Sequence, residues 1–214
     1  MRVLLRSTVA AAAAAALLAG SASAAPSALT VTTSPLAHAA GTATIRTLEA
    51  PGTYRTTVSA PAAYQLPALR HIGQTIGSAT VHVSTDAGPL TFTGWIAGED
   101  PGDFVLDQCA AFAGDVAQAV WVMHLRQTNG IASAEIPIYV DDGPAGTTEL
   151  TWCASAAADM TVTGVSVSLA GVLRNPLFAG AYVWRAHFDN LLGGEQSILG
   201  GVTTSATAVV RVRG

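Results

Sequence analysis

The sequence predicts an all-β fold, an antiparallel β-sandwich with one disulfide. Three observations support this prediction. Apolar and polar residues alternate with a period of two along most of the chain, which is typical of half-buried strands. Turn residues recur roughly every 8 to 15 positions, as in sandwiches of short strands. The two cysteines, Cys109 and Cys153, form an even count that suits a single bridge.

The alternating runs are rich in threonine and valine, which suit a pleated, half-buried surface. Three breaks between runs carry strong turn chemistry: Asp86-Ala87-Gly88, Thr128-Asn129-Gly130 and DDGPAG at 141–146. The predicted strands are 29–33, 42–48, 53–60, 79–85, 89–97, 104–112, 117–125, 131–140, 147–155, 160–173, 181–188 and 204–213.

Residues 61–78 are the least regular part of this pattern, and we expect a loop or a short helical turn there. Two domain partitions are compatible with the strand pattern. In one, all strands belong to a single large sandwich. In the other, residues 25–77 form an N-terminal strand group and residues 78–214 form a separate sandwich module.

Residues 1–24 have the features of a secretory signal peptide. Arg2 and Arg6 form a positive start, an uncharged apolar run follows at 9–19, and Ala22-Ser23-Ala24 supplies small residues before a cut. The apolar run is too short for a stable membrane anchor, because a spanning helix needs about 20 residues. We therefore expect cleavage near Ala24, a secreted mature chain and no membrane insertion after cleavage.

Charged residues exclude several classes of function. The chain has no lysine, so a phosphate-loop lysine, a Schiff base and a Ser-Lys pair are excluded. After loss of Arg2 and Arg6, eight arginines against fourteen acids leave a charge of −6. A net acidic chain without basic clusters is not expected to bind nucleic acid or anionic lipid.

Cys109 and Cys153 predict a disulfide, since an exported chain meets an oxidising environment. Such a bridge would stabilise the fold by about 4 kcal/mol in the chain-entropy model. Neither cysteine has a second cysteine or histidine at metal-ligand spacing, which disfavours a zinc site. No cofactor is expected.

The stretch Gly180-Ala181-Tyr182-Val183-Trp184 resembles the tyrosine corner of immunoglobulin-like sandwiches, in which the tyrosine hydroxyl bonds back to upstream backbone. It departs from antibody-type domains, which have a cysteine where Trp184 stands. The longer stretch GVLRNPLFAGAYVWRAHF at 171–188 is similar to a group of exported bacterial proteins. That resemblance implies an exported, immunoglobulin-like β-sandwich and no particular activity.

Downstream of the corner, Arg185, His187 and Asp189 occupy alternate positions. Two interpretations are open: a catalytic constellation, or the solvated face of a strand whose other face carries Trp184 and Phe188. The second is favoured, because the sequence places neither a nucleophile nor a metal site beside His187.

Acidic loops are the candidates for a calcium site. Asp141, Asp142 and Glu149 could supply the oxygen ligands that calcium prefers, although DDGPAG also suits an ordinary turn. Glu99, Asp100 and Asp103 form a second acidic loop of the same kind, residues 99–103.

Tryptophans and histidines complete the candidates. An exposed Trp95 or Trp152 could stack on a sugar, whereas Trp121 lies in a strongly apolar run and is expected in the core. Neither His82 nor His124 has a second histidine at metal-ligand spacing, and each is expected as a polar-face or core residue.

Three hypotheses of function follow. The favoured one is a secreted, non-enzymatic β-sandwich that binds an extracellular or cell-surface partner or has a structural role there. The second is a calcium- or carbohydrate-binding module. The third is a secreted hydrolase that uses carboxylates from different strands, such as Glu135 with Asp107.

Overall fold

The computed structural model describes residues 26–66, 71–104, 109, 117–153, 160–190 and 203–214. It contains eleven strands that follow the predicted alternation closely. Their bounds are β1 Ala28–Thr33, β2 Ala40–Leu48, β3 Thr53–Ala60, β4 Thr75–Thr85, β5 Gly88–Glu99, β6 Ala119–Gln127, β7 Ser133–Asp142, β8 Thr148–Cys153, β9 Met160–Arg174, β10 Gly180–Asn190 and β11 Thr203–Val212. The prediction of an all-β, antiparallel fold with one disulfide is confirmed.

All eleven strands belong to one sheet, in the order β1-β2-β9-β4-β5-β6-β7-β8-β3-β10-β11. Each neighbouring pair is antiparallel. Strand β2 pairs with β9, and β3 lies between β8 and β10, so the strands of residues 25–77 are interleaved with those of 78–214. Residue 78 itself lies inside β4.

The sheet curls until its two outer strands approach each other, so it is nearly closed and barrel-like. Strands β1 and β11 run in the same direction at this seam. A parallel bridge joins Leu36 to Arg213 at one end, and Thr204 Oγ1 lies 3.2 Å from Ser27 Oγ at the other. Among the described residues no continuous ladder joins the two strands.

The core fills the inside of the curled sheet, because one residue in two along every strand points inward. The largest fully buried side chains there include Trp121, Trp152, Trp184 and Phe188. One end of the interior is covered by Tyr64, whose ring packs edge-on against Trp184 at a centroid distance of 5.0 Å.

A second, smaller apolar cluster lies on the outer face of β6 and β7. Val120, Val122 and Tyr139 point outward there, yet all three are buried beneath Phe104 and Cys109. The Cys109–Cys153 disulfide connects Cys109 to the end of β8. The outer face of β6 is therefore buried near its N-terminal end and exposed to solvent farther along the strand.

Two local predictions differ from the structure. Phe104, expected to begin a strand, ends a short 3-10 helix at Pro101–Phe104, and most of the predicted strand 104–112 lies outside the described residues. The interval 61–78 was expected to be irregular throughout, but β4 begins at Thr75. Among the described residues, no helix is long and apolar enough to cross a membrane.

Candidate functional site: an exposed tryptophan platform

Trp95 lies in the middle of β5 and points away from the core. Its neighbours Gly94 and Ile96 belong to the inward face, so the alternation of the strand turns the indole outward. The side chain is 48% exposed, whereas Trp121, Trp152 and Trp184 are at most 1% exposed. Trp95 is thus the exposed one of the four tryptophans, and we take it as the candidate for a binding surface.

His124 on β6 stands directly opposite Trp95 in the strand register. The imidazole and indole rings are stacked, with centroids 5.2 Å apart and planes 22° from parallel. Gly94 permits this close approach, because a Cβ at that position would overlap the carbonyl oxygen of His124. The pair is thus built into the geometry of the β5–β6 ladder.

Two carboxylates hold His124 from opposite sides. Its Nδ1 lies 3.0 Å from Glu135 Oε1 on β7, and its Nε2 lies 3.6 Å from Glu99 Oε1 on β5. A neutral imidazole carries one N–H and can donate to one of these carboxylates, whereas an imidazolium can donate to both. We refer to Trp95, His124, Glu99 and Glu135 as the Trp95 platform.

Polar side chains border the platform on one side of the outer face, whereas the row on its other side consists of Ala97, Val122 and Pro137. Ser78 on β4 pairs in register with Trp95, and Glu135 on β7 pairs with His124, so one row of side chains crosses four strands. The adjoining row has the same character and consists of Thr80, Thr93, Arg126 and Ser133. The region therefore offers one aromatic surface amid hydroxyl, carboxylate and guanidinium groups.

Trp152, the other tryptophan that the sequence singles out, is buried instead. It points into the core from β8, and its Nε1 donates to Glu49 Oε1 at 3.3 Å. The expectation that one of these two residues could be an exposed stacking surface thus applies to Trp95, and Trp152 has a structural position.

Glu49 is a buried carboxylate that sequence reasoning missed. It is 5% exposed at the end of β2, and its Oε2 has no hydrogen-bond partner among the described residues. Burial raises the pKa of Glu49, and three hydrogen bonds to Oε1 oppose that rise. The donors are Thr56 Oγ1 at 2.9 Å, Thr47 Oγ1 at 3.3 Å and Trp152 Nε1. One signal was available: Ala43, Ile45, Thr47 and Glu49 share the inward parity of β2.

The face that carries Arg185, His187 and Asp189 is the outer side of β10. Arg185 and His187 are exposed, and Asp189 pairs in register with Arg55 on β3. The Arg55 guanidinium donates to Asp189 Oδ2 at 2.6 and 2.7 Å. Thr203 Oγ1 donates to Oδ1 of the same carboxylate at 2.8 Å. The structure thus supports a solvated face with cross-strand pairing.

The calcium candidates are distributed over two strands and a turn. Asp141 and Glu149 face each other across β7 and β8, and Asp141 Oδ1 accepts a hydrogen bond from the backbone N–H of Gln118 at 3.1 Å. Asp142 is the next residue along β7 and so has the opposite parity. In the part of the chain that the structure describes, no group of three His, Cys, Asp or Glu side chains could hold a metal ion. The calcium site at Asp141, Asp142 and Glu149 stays a prediction.

The remaining acidic candidates divide in the same way. Glu99 belongs to the Trp95 platform, whereas Asp100 accepts a hydrogen bond from the backbone N–H of Gly102 at 2.9 Å. Glu135 also belongs to the platform. Asp107, its proposed partner in a hydrolase, lies outside the described residues, so that pair stays a prediction.

The corner at Gly180, Tyr182 and Trp184 has two recognisable features. The Tyr182 hydroxyl donates to the carbonyl oxygen of Phe178 at 2.8 Å, four residues upstream. Trp184 is fully buried and packs on Tyr64. The first contact anchors the start of β10 to the loop before it, and the second packs β10 against the segment that follows β3.

Comparisons with known proteins leave the function to be argued from these residues. No protein-family model matches the chain, and no curated protein matches it. Among solved structures, the chain is similar to one from work on AAF fimbriae of enteroaggregative Escherichia coli. That work concerns the structure and mechanism of fibronectin binding and biofilm formation. The two are 11% identical, the match covers 87% of this chain and 99% of the other, and the TM-score is 0.28. A score this low carries no argument about function.

Proposed function

We propose that this protein is an exported, non-enzymatic binding protein that engages a partner at or outside the cell surface through the Trp95 platform. One observation carries the proposal: Trp95 is 48% exposed and is held in place by His124. Large aromatic side chains that are exposed and fixed in orientation bind ligands at low entropic cost. No cofactor is part of this proposal.

Export is part of the same proposal, with cleavage near Ala24. The Cys109–Cys153 disulfide supports it, because such bridges persist in oxidising compartments. N-terminal sequencing of the protein recovered outside the cytoplasm should begin at Ala25. Recovery of the full-length chain from the cytoplasm with both thiols reduced would contradict export.

The finer fold assignment, an immunoglobulin-like sandwich, also remains a proposal. The hydrogen bond from Tyr182 to Phe178 supports it, since a tyrosine that bonds back to upstream backbone is a feature of such domains. An experimental structure in which the curled sheet divides into two facing layers would establish it. A round, evenly curved sheet would overturn it.

The test of binding compares three chains in cells that export them: wild type, Trp95→Ala and the control His187→Ala. His187 is exposed on β10, which is distant from β5 in the strand order. Envelopes are washed at high salt, which removes weakly held proteins by screening their surface charges. We expect wild type and His187→Ala to stay with the envelope and Trp95→Ala to be released. Release of all three chains, or retention of Trp95→Ala, contradicts the proposal.

A further inference from the structure

We propose that the ligand of the Trp95 platform is an uncharged polysaccharide, one pyranose ring of which stacks on the indole of Trp95. This inference rests on the binding function proposed above and specifies its ligand. It depends on three properties of the platform: a rigid ring, polar neighbours on one side and a negative charge that Arg126 offsets in part.

The rigidity of the ring comes from His124. The imidazole supports the indole at 5.2 Å, and the carboxylates of Glu135 and Glu99 in turn fix the imidazole. A supported indole loses little side-chain freedom when a ligand arrives. It presents a flat apolar surface of about the size of one sugar ring, which suits the C–H face of a pyranose.

The polar surround distinguishes a sugar from a protein partner. Protein interfaces place their aromatic anchors within a larger apolar patch. Here the outward neighbours of Trp95 are Ser78, Thr93, the small Ala97 and the charged groups of the platform, so the exposed apolar surface is essentially the indole itself. Two exposed valines, Val183 and Val209, lie instead on β10 and β11. Hydroxyl, carboxylate and guanidinium groups around a lone ring match the many hydroxyl groups of a polysaccharide.

The charges favour a ligand without charge. Glu99 and Glu135 repel an anionic chain, as does the formal net charge of −4. The Arg126 guanidinium is exposed in the next row and offsets one of these two negative charges, which weakens the attraction for a cationic chain. The carboxylate oxygens retain lone pairs that can accept hydrogen bonds from sugar hydroxyls.

The shape favours a chain over a small molecule. The row from Ser78 through Trp95 and His124 to Glu135 crosses four neighbouring strands. It extends about 14 Å, because neighbouring strands lie about 4.8 Å apart. A row of this length is longer than a single pyranose ring, so it can contact more than one unit of a chain.

The test measures co-sedimentation of the full chain with five polysaccharides. Cellulose, curdlan and granular starch are uncharged, chitosan is cationic and alginate, gelled with calcium, is anionic. We expect binding to at least one of the uncharged three. Trp95→Ala should weaken it by about tenfold or more, while Trp95→Phe retains part of the affinity and His187→Ala all of it. Equal melting temperatures of the variants would show that each is folded.

Three outcomes overturn the inference: no uncharged polysaccharide binds, alginate or chitosan binds more tightly, or Trp95→Ala binds as well as His187→Ala. The envelope assay separates this failure from failure of the proposed function. Retention that depends on Trp95, without binding to any uncharged polysaccharide, overturns the ligand class and leaves the binding function. Retention that does not depend on Trp95 overturns both.

Discussion

Two tryptophans, each in a group that includes a glutamate, have opposite environments in this molecule. On the outer face, Trp95 stacks on His124, which is hydrogen-bonded to Glu135. All three side chains reach solvent. In the interior, Trp152 donates its N–H to Glu49, and both residues are buried. The outer group combines a ring with solvated charges, whereas the inner group confines a carboxylate with one oxygen unpartnered among the described residues.

The difference teaches that residue type alone does not decide a role on a sheet. Strand parity decides which tryptophan is exposed, and the same neighbours then have different energetic effects. A carboxylate in water costs little and remains available to a ligand. A carboxylate in the core loses its hydration and must be compensated by hydrogen bonds. Five substitutions test this contrast.

The largest effect is expected from truncation of the buried ring. Trp152→Ala should lower the free energy of unfolding by about 3 to 5 kcal/mol, because it leaves a cavity and removes a donor to Glu49. Trp95→Ala should lower it by only about 1 kcal/mol, because the half-exposed ring loses little more than its stack on His124. Urea unfolding of both variants measures the difference. Similar losses in the two variants would contradict the contrast.

Gly94→Ala should disrupt the packing of Trp95 on His124 by changing the backbone beneath them. The added methyl group would overlap the backbone carbonyl oxygen of His124, so β5 and β6 must shift. We expect a loss of about 1 to 3 kcal/mol of stability and disruption of the Trp95–His124 stack. Urea unfolding and tryptophan fluorescence measure both effects. Gly102→Ala is the matched control, since a Cβ there meets only the Asp100 side chain at 3.4 Å; an equal loss in the control would count against this explanation.

Glu49→Gln should make stability less dependent on pH. Because burial raises the pKa of Glu49 above its ordinary value of 4.5, the folded state holds a proton that the unfolded chain has lost. The stability from this proton is present below about pH 4.5 and is lost as the pH rises through the folded pKa. The stability of the glutamine variant relative to the wild type should therefore increase as the pH rises above about 4.5.

Thermal and urea unfolding across that pH range measure the gain. Glu135→Gln is the matched control, because the Glu135 side chain is 72% exposed and should show no comparable trend. A constant difference between Glu49→Gln and the wild type at every pH would mean that Glu49 keeps one protonation state throughout.

The smallest effect on stability is expected from Glu135→Gln itself. Exposed pairs contribute about 0.2 to 1 kcal/mol, and salt weakens them further. The substitution should nevertheless loosen His124 and weaken binding to the polysaccharide, since it removes a carboxylate that orients the imidazole. Unfolding at low and high salt, together with co-sedimentation, measures the two effects. A stability loss as large as that of Trp152→Ala would place Glu135 among the structural residues.

Much of the strand pattern could be predicted because the alternation is local. The run 53–60 coincides with β3, and the turn at Asp86-Ala87-Gly88 joins β4 to β5 as expected. The curled single sheet could not be predicted in the same way. Its order depends on pairings such as β2 with β9, which join residues more than a hundred positions apart, and no local pattern encodes them.

The candidate site was predictable in part. Trp152 shares its parity with the apolar Leu150, and this could have placed it inside. Trp95 follows a glycine and precedes an isoleucine, so its neighbours are less decisive. The stack on His124 depends on the register between β5 and β6. The hydrogen-bond donors to Glu49 come from three different strands. A single sequence does not show that these strands meet.

The seam between β1 and β11 has a consequence for the timing of folding. The first and last strands meet there, so the sheet can close after the nine strands between them have found their places. Proteins dominated by such distant pairings fold in roughly milliseconds to seconds, far more slowly than helical bundles. Until the sheet closes, nothing covers the two seam strands, and exposed edge strands of this kind favour association with other chains.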